Sequence, residues 1–272
     1  MSFHDREVST SDGAPVELYD FYRGTLHWRY TNADRDIVYD GLLFRAIPIS
    51  RGEIEQSSEV KKLGLTVKAP MTIEVYEQFR VAPPGSAIGC IVYTYQAGGA
   101  VGDVIPEWTG RVITCVRKGI QVELVCEPMY ISLMAMGIRR RWQKSCPHLL
   151  YGPGCKANKT QYVIPAVVQD VQGLWVTVPA AIAKPDYYFE GGYIEWTDFF
   201  GLPDYRGIEE HVGDKIRLSY GFDGIVSGTA VSMYPGCSHT MQMCKDRFNN
   251  LLNYGGTPYI PQKNPYKGNP VY

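Results

Sequence analysis

Four cysteines in two loop pairs carry the most chemistry in this chain. Cys146 and Cys155 bracket Cys-Pro-His-Leu-Leu-Tyr-Gly-Pro-Gly-Cys, and Cys237 and Cys244 bracket Cys-Ser-His-Thr-Met-Gln-Met-Cys. Thiolates that ligate one centre must reach it from different backbone directions, and the turns that proline and glycine impose beside each cysteine suit that need. Ligands this soft select zinc or iron–sulfur over calcium or magnesium. The spacings, C-x8-C and C-x6-C about eighty residues apart, match no common zinc finger. Two readings of the residues therefore stand side by side: one shared, closed metal centre, or separate cysteines that are buried or disulfide-bonded. Cys90, Cys115 and Cys126 lie in apolar, strand-like runs and read as small core hydrophobes.

Other candidates are weaker. His148, two residues after Cys146, raises a cysteine nucleophile with a nearby base, but no third orienting group accompanies it. His148 and His239 read better as contacts to cysteine sulfur or backbone. The acid pairs Glu209–Glu210 and Asp34 with Asp36 stand among polar residues and read as solvated surface. Arg139, Arg140 and Arg141 complement the carboxy-terminal dipole of an expected helix. Neither a dinucleotide-binding G-x-G-x-x-G nor a Walker-type phosphate loop is present, so no nucleotide site is indicated.

The elements that must position the cysteines read as mostly β. Strand-like alternation marks 36–40, 64–69, 71–76 and 87–95. Arg117-Lys118-Gly119 joins two further strands in a hairpin, with glycine available for positive φ. From Met129 to Lys144 long apolar side chains followed by cations predict a helix. Further strands are expected at 162–168, 174–179, 187–196, 215–220 and 224–231, then a short helix from Asp246 to Tyr254 stopped by Gly255-Gly256. The expected layout is an N-terminal β domain at 1–130, a helical connector with the first cysteine pair at 131–158, a second β domain at 159–235, and a segment at 236–272 with the second pair and a proline-rich tail. A formal net charge of −1 argues against a broad electrostatic attraction to nucleic acid or anionic membrane and leaves room only for a local basic patch. No membrane span and no signal-peptide core are seen, so the chain is expected to fold in a cytoplasm. Twenty tyrosines favour an assembly component.

The two cysteine segments, with the Lys-Asp-Arg-Phe-Asn-Asn-Leu-Leu-Asn-Tyr-Gly-Gly that follows Cys244 and a later Pro-Tyr-Ile-Pro, resemble the phage tail proteins of the BR0599-like group. That group is related to the hub proteins of gene transfer agents and, more distantly, to the lambda tail tip protein L. The likeness extends to the amino-terminal half, through Val16-Glu-Leu-Tyr-Asp-Phe, Trp28-Arg-Tyr-Thr-Asn-Ala-Asp and Ile49-Ser-Arg-Gly-Glu-Ile-Glu-Gln-Ser. The resemblance implies a mainly β fold of two β-barrel-like hub domains with short connecting helices. It implies a non-enzymatic baseplate or tail-tip hub, joining the tube end to the central fibre or spike complex. A homotrimer is implied, with distal tail, tape measure and central fibre or spike proteins as neighbours, assembled in the bacterial host cytoplasm and located at the virion tail tip. Carried over residue by residue, Cys146, Cys155, Cys237 and Cys244 would hold a structural [4Fe-4S] cluster, with zinc as the alternative. The competing expectation is an enzyme, either a cluster-containing redox protein or a Cys–His cell-wall hydrolase.

Overall fold

The computed structural model describes residues 8, 15–54, 64–96, 104–134 and 142–261. Arg139 to Arg141 and the tail prolines 265 and 270 lie outside the described residues. The fold is mainly β, with a sheet curled into a half-barrel and few, short helices. The chain divides into two compact units, 1–135 and 136–272.

In the first unit the strands are β1 (Pro15–Arg23), β2 (Leu26–Thr31), β3 (Ile37–Tyr39), β4 (Leu42–Ala46), β5 (Ser50–Arg51), β6 (Leu65–Pro70), β7 (Ile88–Gln96), β8 (Val104–Lys118) and β9 (Gln121–Pro128). They form one sheet in the order β3-β4-β2-β1-β7-β8-β9-β6-β5. Period-two burial drives the pairing: Leu65, Val67 and Ala69 of β6 and Val122, Leu124 and Cys126 of β9 point into one core, while Thr66, Lys68 and Glu123 do not. The β8–β9 hairpin forms where expected, with Lys118 opposite Gln121 and Gly119 at φ 63°. Cys90 and Cys126 are buried in this core and Cys115 packs against it, as their apolar surroundings predict.

The expected strand at 71–76 is instead a turn and a short helix, α1 (Glu74–Glu77). Pro70 cannot extend the ladder, its carbonyl accepts from Ile73 N at 3.2 Å, and Ile73 and Val75 reach the core from a helical turn. Residues 129–134 form a 3-10 helix at the start of the predicted helical stretch.

The second unit holds β10 (Ile164–Val167), β11 (Asp170–Gln172), β12 (Trp175–Thr177), β13 (Tyr193–Thr197), β14 (Pro203–Val212), β15 (Lys215–Leu218) and β16 (Ala230–Tyr234). Their order is β10-β16-β13-β14-β15-β12-β11, antiparallel throughout. Val176, Phe189, Ile194, Ile216, Leu218 and Met233 fill its core. Arg206 is buried beside them, paired to Asp204 at 2.8 Å and packed on Tyr220. The strand expected at 224–231 begins only at Ala230, because Gly224 and Gly228 take φ 81° and 90° in turns. Glu209 and Glu210 sit on β14 at a register shift; Glu209 is exposed, facing Arg217.

Candidate metal centre

Both cysteine pairs hang from the end of the second sheet where β16 finishes. Gly236 and Gly192 make that approach possible: a Cβ on Gly236 would stand 1.7 Å from Glu190 O, and one on Gly192 would stand 2.0 Å from Tyr234 O. Arg247 braces the same corner. Its Nη1 donates to Tyr188 O at 2.9 Å and Gly236 O at 2.7 Å, and its guanidinium lies over the Tyr188 ring. Cys244 rides on a helix, α2 (Met241–Asp246), capped by Thr240, whose Oγ1 accepts from Met243 N at 3.2 Å. This helix starts five residues before the expected one and stops where Asn249 turns to φ 44°; a 3-10 turn, 251–253, follows.

The first pair is threaded onto the second by its backbone. Cys146 N donates to His239 O at 2.8 Å, and Thr257 N donates to Gln143 O at 2.8 Å. Tyr151 OH donates to Pro235 O at 3.0 Å, and Tyr162 OH to Phe248 O at 3.1 Å. Tyr151, Tyr162 and Phe248 pack edge-on or tilted, with ring centres 5.1–6.4 Å apart, beneath the loops. Tyr151, Lys156, His239 and Asn249, all in the cysteine-bearing loops, take left-handed backbone at φ 44° to 60°. Such conformations cost on the order of 1–3 kcal/mol each and persist only where the surroundings over-determine them.

All four cysteines line one small cavity, together with His148, Leu150, His239, Thr240, Phe248 and Asn253. None of the four is disulfide-bonded in the structure. Three of the sulfurs face N–H donors: Cys237 Sγ accepts from His239 N at 3.3 Å, Cys146 Sγ from Gly255 N at 3.4 Å, and Cys155 Sγ from Asn250 Nδ2 at 3.6 Å. The fourth, Cys244, donates its S–H to Asn250 O at 3.3 Å. Burial pushes the Cys237 thiol up; the His239 N–H opposes this, while Cys155 and Cys146 add to the rise. Burial also raises Cys244, followed by Cys237, Cys146 and Cys155. The four groups thus repel one another's charge, the situation a bound cation reverses. Among the described residues no three His, Cys, Asp or Glu side chains are set to hold a metal ion as they stand.

His148 does not pair with Cys146; among the described residues no hydrogen bond joins them. Its ring is wedged instead between Gly154 and Gly255, where an added Cβ would come within 2.5 and 2.4 Å of its nitrogens. Asn250 is the residue that sequence reasoning missed. Its side-chain amide reaches the Cys155 carbonyl and sulfur, its backbone exchanges contacts with Cys244, and its Oδ1 accepts from Asn253 Nδ2 at 2.6 Å. One amide therefore joins the two pairs, but an asparagine in a polar stretch carries no signal that would single it out.

Fold and site together define a two-unit β protein whose second unit is closed by convergent cysteine loops. Residues 187–264 match the family described as "Phage conserved hypothetical protein BR0599", the group that the cysteine segments resemble. The matched segment contains Cys237 and Cys244, whereas Cys146 and Cys155 precede it. A protein of Xylella fastidiosa (strain 9a5c), described as "Uncharacterized protein", is 31% identical over 170 residues. That match takes in 57% of this chain and 35% of the relative, so the chain spans about a third of the relative's length. A solved chain of the "Virion of native gene transfer agent (GTA) particle" superposes with a TM-score of 0.83 at 17% identity, covering 99% of this chain and 96% of that one. At that identity the likeness is one of fold.

Proposed function

We propose that this protein is a structural component of a phage tail or a related particle, and within it a tail-tip or baseplate hub joining the tube end to the central fibre or spike complex. The BR0599 match and the whole-chain likeness to a gene transfer agent virion chain support the particle component. A homotrimeric ring, its distal tail, tape measure and fibre neighbours, and assembly in the host cytoplasm are finer parts of the same proposal. No helix among the described residues is long and apolar enough to cross a membrane.

The observation that carries the proposal furthest is the convergence of Cys146, Cys155, Cys237 and Cys244 on one cavity with N–H groups directed at three of the sulfurs. That donor set fits a [4Fe-4S] cluster, whose sulfurs are tuned by such hydrogen bonds, and zinc is the alternative. Loading requires the thiols to ionise and turn from local partners such as Asn250 O toward a common centre. The group would supply no reaction. With four protein ligands it leaves no open position and acts as a staple across the roughly eighty-residue stretch between the pairs. The chain's own residues do the rest: Gly255 and His239 present amides to sulfur, and His148, seated between two glycines, walls the cavity.

The test is to replace each of the four cysteines with serine in the producing phage or cell. The proposal expects impaired assembly or infectivity from each replacement, and wild-type particles carrying the protein at one end of the tail by gold labelling. Fully infectious particles from the four-site variant would overturn the staple. Label absent from purified particles would overturn the hub.

A further inference from the structure

We propose that Arg247 is the built-in counter-cation of the cysteine centre, a positive charge held beside Cys237 to offset the negative charge that the loaded site carries. The proposal rests on the metal reading above and adds to it the residue that tunes the centre. Four thiolates around a dicationic zinc or cluster core leave net negative charge, whichever metal is held. The cavity wall does little to offset it. Apart from the four cysteines it is formed by His148, Leu150, His239, Thr240, Phe248 and Asn253, with no lysine or arginine among them.

The structure sets Arg247 where that charge is needed. It caps the carboxy-terminal end of α2, the helix that carries Cys244. Its Nη1 donates at 2.7 Å to Gly236 O, the carbonyl of the peptide bond that leads into Cys237. The same nitrogen donates to Tyr188 O at 2.9 Å, and the guanidinium lies 4.3 Å from the centre of the Tyr188 ring. These contacts fix the cation in place, and a guanidinium stays charged across the pH range of proteins. Burial raises the Cys237 thiol, and the Arg247 charge works against that rise.

Bracing the two carbonyls does not account for the charge. A neutral N–H donor would serve Gly236 O and Tyr188 O, whereas a half-buried cation costs free energy unless an opposite charge answers it. The face of the Tyr188 ring attracts the cation but has no net charge to give. Arg206, buried in the same unit, has its carboxylate in Asp204 at 2.8 Å. Among the described residues no carboxylate pairs with Arg247. The anion that answers it is the thiolate centre.

The experiment compares four full-length proteins prepared without oxygen: wild type, Arg247→Gln, Arg247→Lys, and a semisynthetic chain, ligated at Cys244, with citrulline at position 247. Citrulline keeps the shape of arginine and a terminal NH2 for the carbonyls but has no charge, so it spares the fold if glutamine does not. Loss of metal to a chelator is timed, and the reduction potential of an iron–sulfur form is followed by paramagnetic resonance. The glutamine and citrulline proteins should release metal at least about tenfold faster than wild type, the scale expected for groups that support metal ligands. Their potential should fall, because an added electron then meets less positive charge. Arg247→Lys should recover most of both effects. A loaded citrulline protein that matches wild type would overturn the counter-charge and leave the metal reading intact, as would lysine and glutamine proteins that behave alike. A wild-type chain that takes up neither an iron–sulfur cluster nor zinc would overturn the metal reading, and this proposal with it.

Discussion

Replacing Asn250 by alanine isolates the join between the two cysteine loops. The truncation deletes the amide's bonds to Cys155 and the acceptor for Asn253, and leaves the backbone contacts with Cys244 in place. Two ordinary hydrogen bonds at about 1 kcal/mol net each give about 2 kcal/mol, an upper bound because the site is half-buried and water can replace part of the loss. For a unit of this size that lowers Tm by roughly 5–10 °C. Near-ultraviolet circular dichroism suits the measurement, because Tyr151, Tyr162 and Phe248 pack beneath these loops and report on the second unit. Asn250→Asp should be worse than alanine, since it sets a carboxylate against the Cys155 carbonyl. Wild-type melting in Asn250→Ala, or an aspartate variant milder than alanine, would refute the reasoning.

Gly236→Ala and Gly255→Ala should part company. The first forces a Cβ to 1.7 Å from Glu190 O and 2.5 Å from Gly192 N, both backbone, and should yield no soluble folded second unit by proteolysis. The second meets the His148 ring at 2.4 Å, which can turn away, so a folded protein with faster thiol modification by an aromatic disulfide reagent is expected. Asp204→Ala removes the carboxylate partner of the buried Arg206 cation, which keeps the Gly221 and Tyr205 carbonyls as acceptors, and should cost about 2–3 kcal/mol in urea unfolding. Alkaline pH should weaken the first unit. Burial, with Cys126 adding, pushes the Cys115 thiol from 9.0 up to about 11, so the unfolded chain ionises first. The associated stability is complete below pH 9 and is lost as pH rises through about 11. Burial also raises Tyr19 and Tyr30 above their ordinary 10.0, which acts in the same direction. Urea midpoints measured from pH 8 to 11 should fall less for Cys115→Ser than for wild type.

The sequence is most legible where one local rule dominates. Alternation located β6, β7 and β9, and glycine placed the β8–β9 turn, because period-two burial and positive φ leave local marks. Apolar context separated Cys90, Cys115 and Cys126 from the loop cysteines, and the structure seats the two groups in different units. Alternation misled at 71–76, where Pro70 ended the strand and tertiary burial of Ile73 and Val75 favoured a helical turn. The helix near Cys244 was misplaced because Gly255-Gly256 looked like its stop, whereas Thr240 starts it and Asn249 ends it. The parallel β2–β4 contact, the Arg206–Asp204 pair and the Asn250 clasp depend on partners distant in sequence or on packing, which a local pattern does not encode.

The most direct test of the central claim is metal analysis of protein purified without oxygen, with its visible absorption spectrum. A brown protein with about four irons and four sulfides per chain is predicted, both lost when Cys146, Cys155, Cys237 or Cys244 becomes serine. One zinc per chain in colourless protein would retain the staple and overturn the cluster. Metal-free protein with all four thiols open to modification would contradict the account.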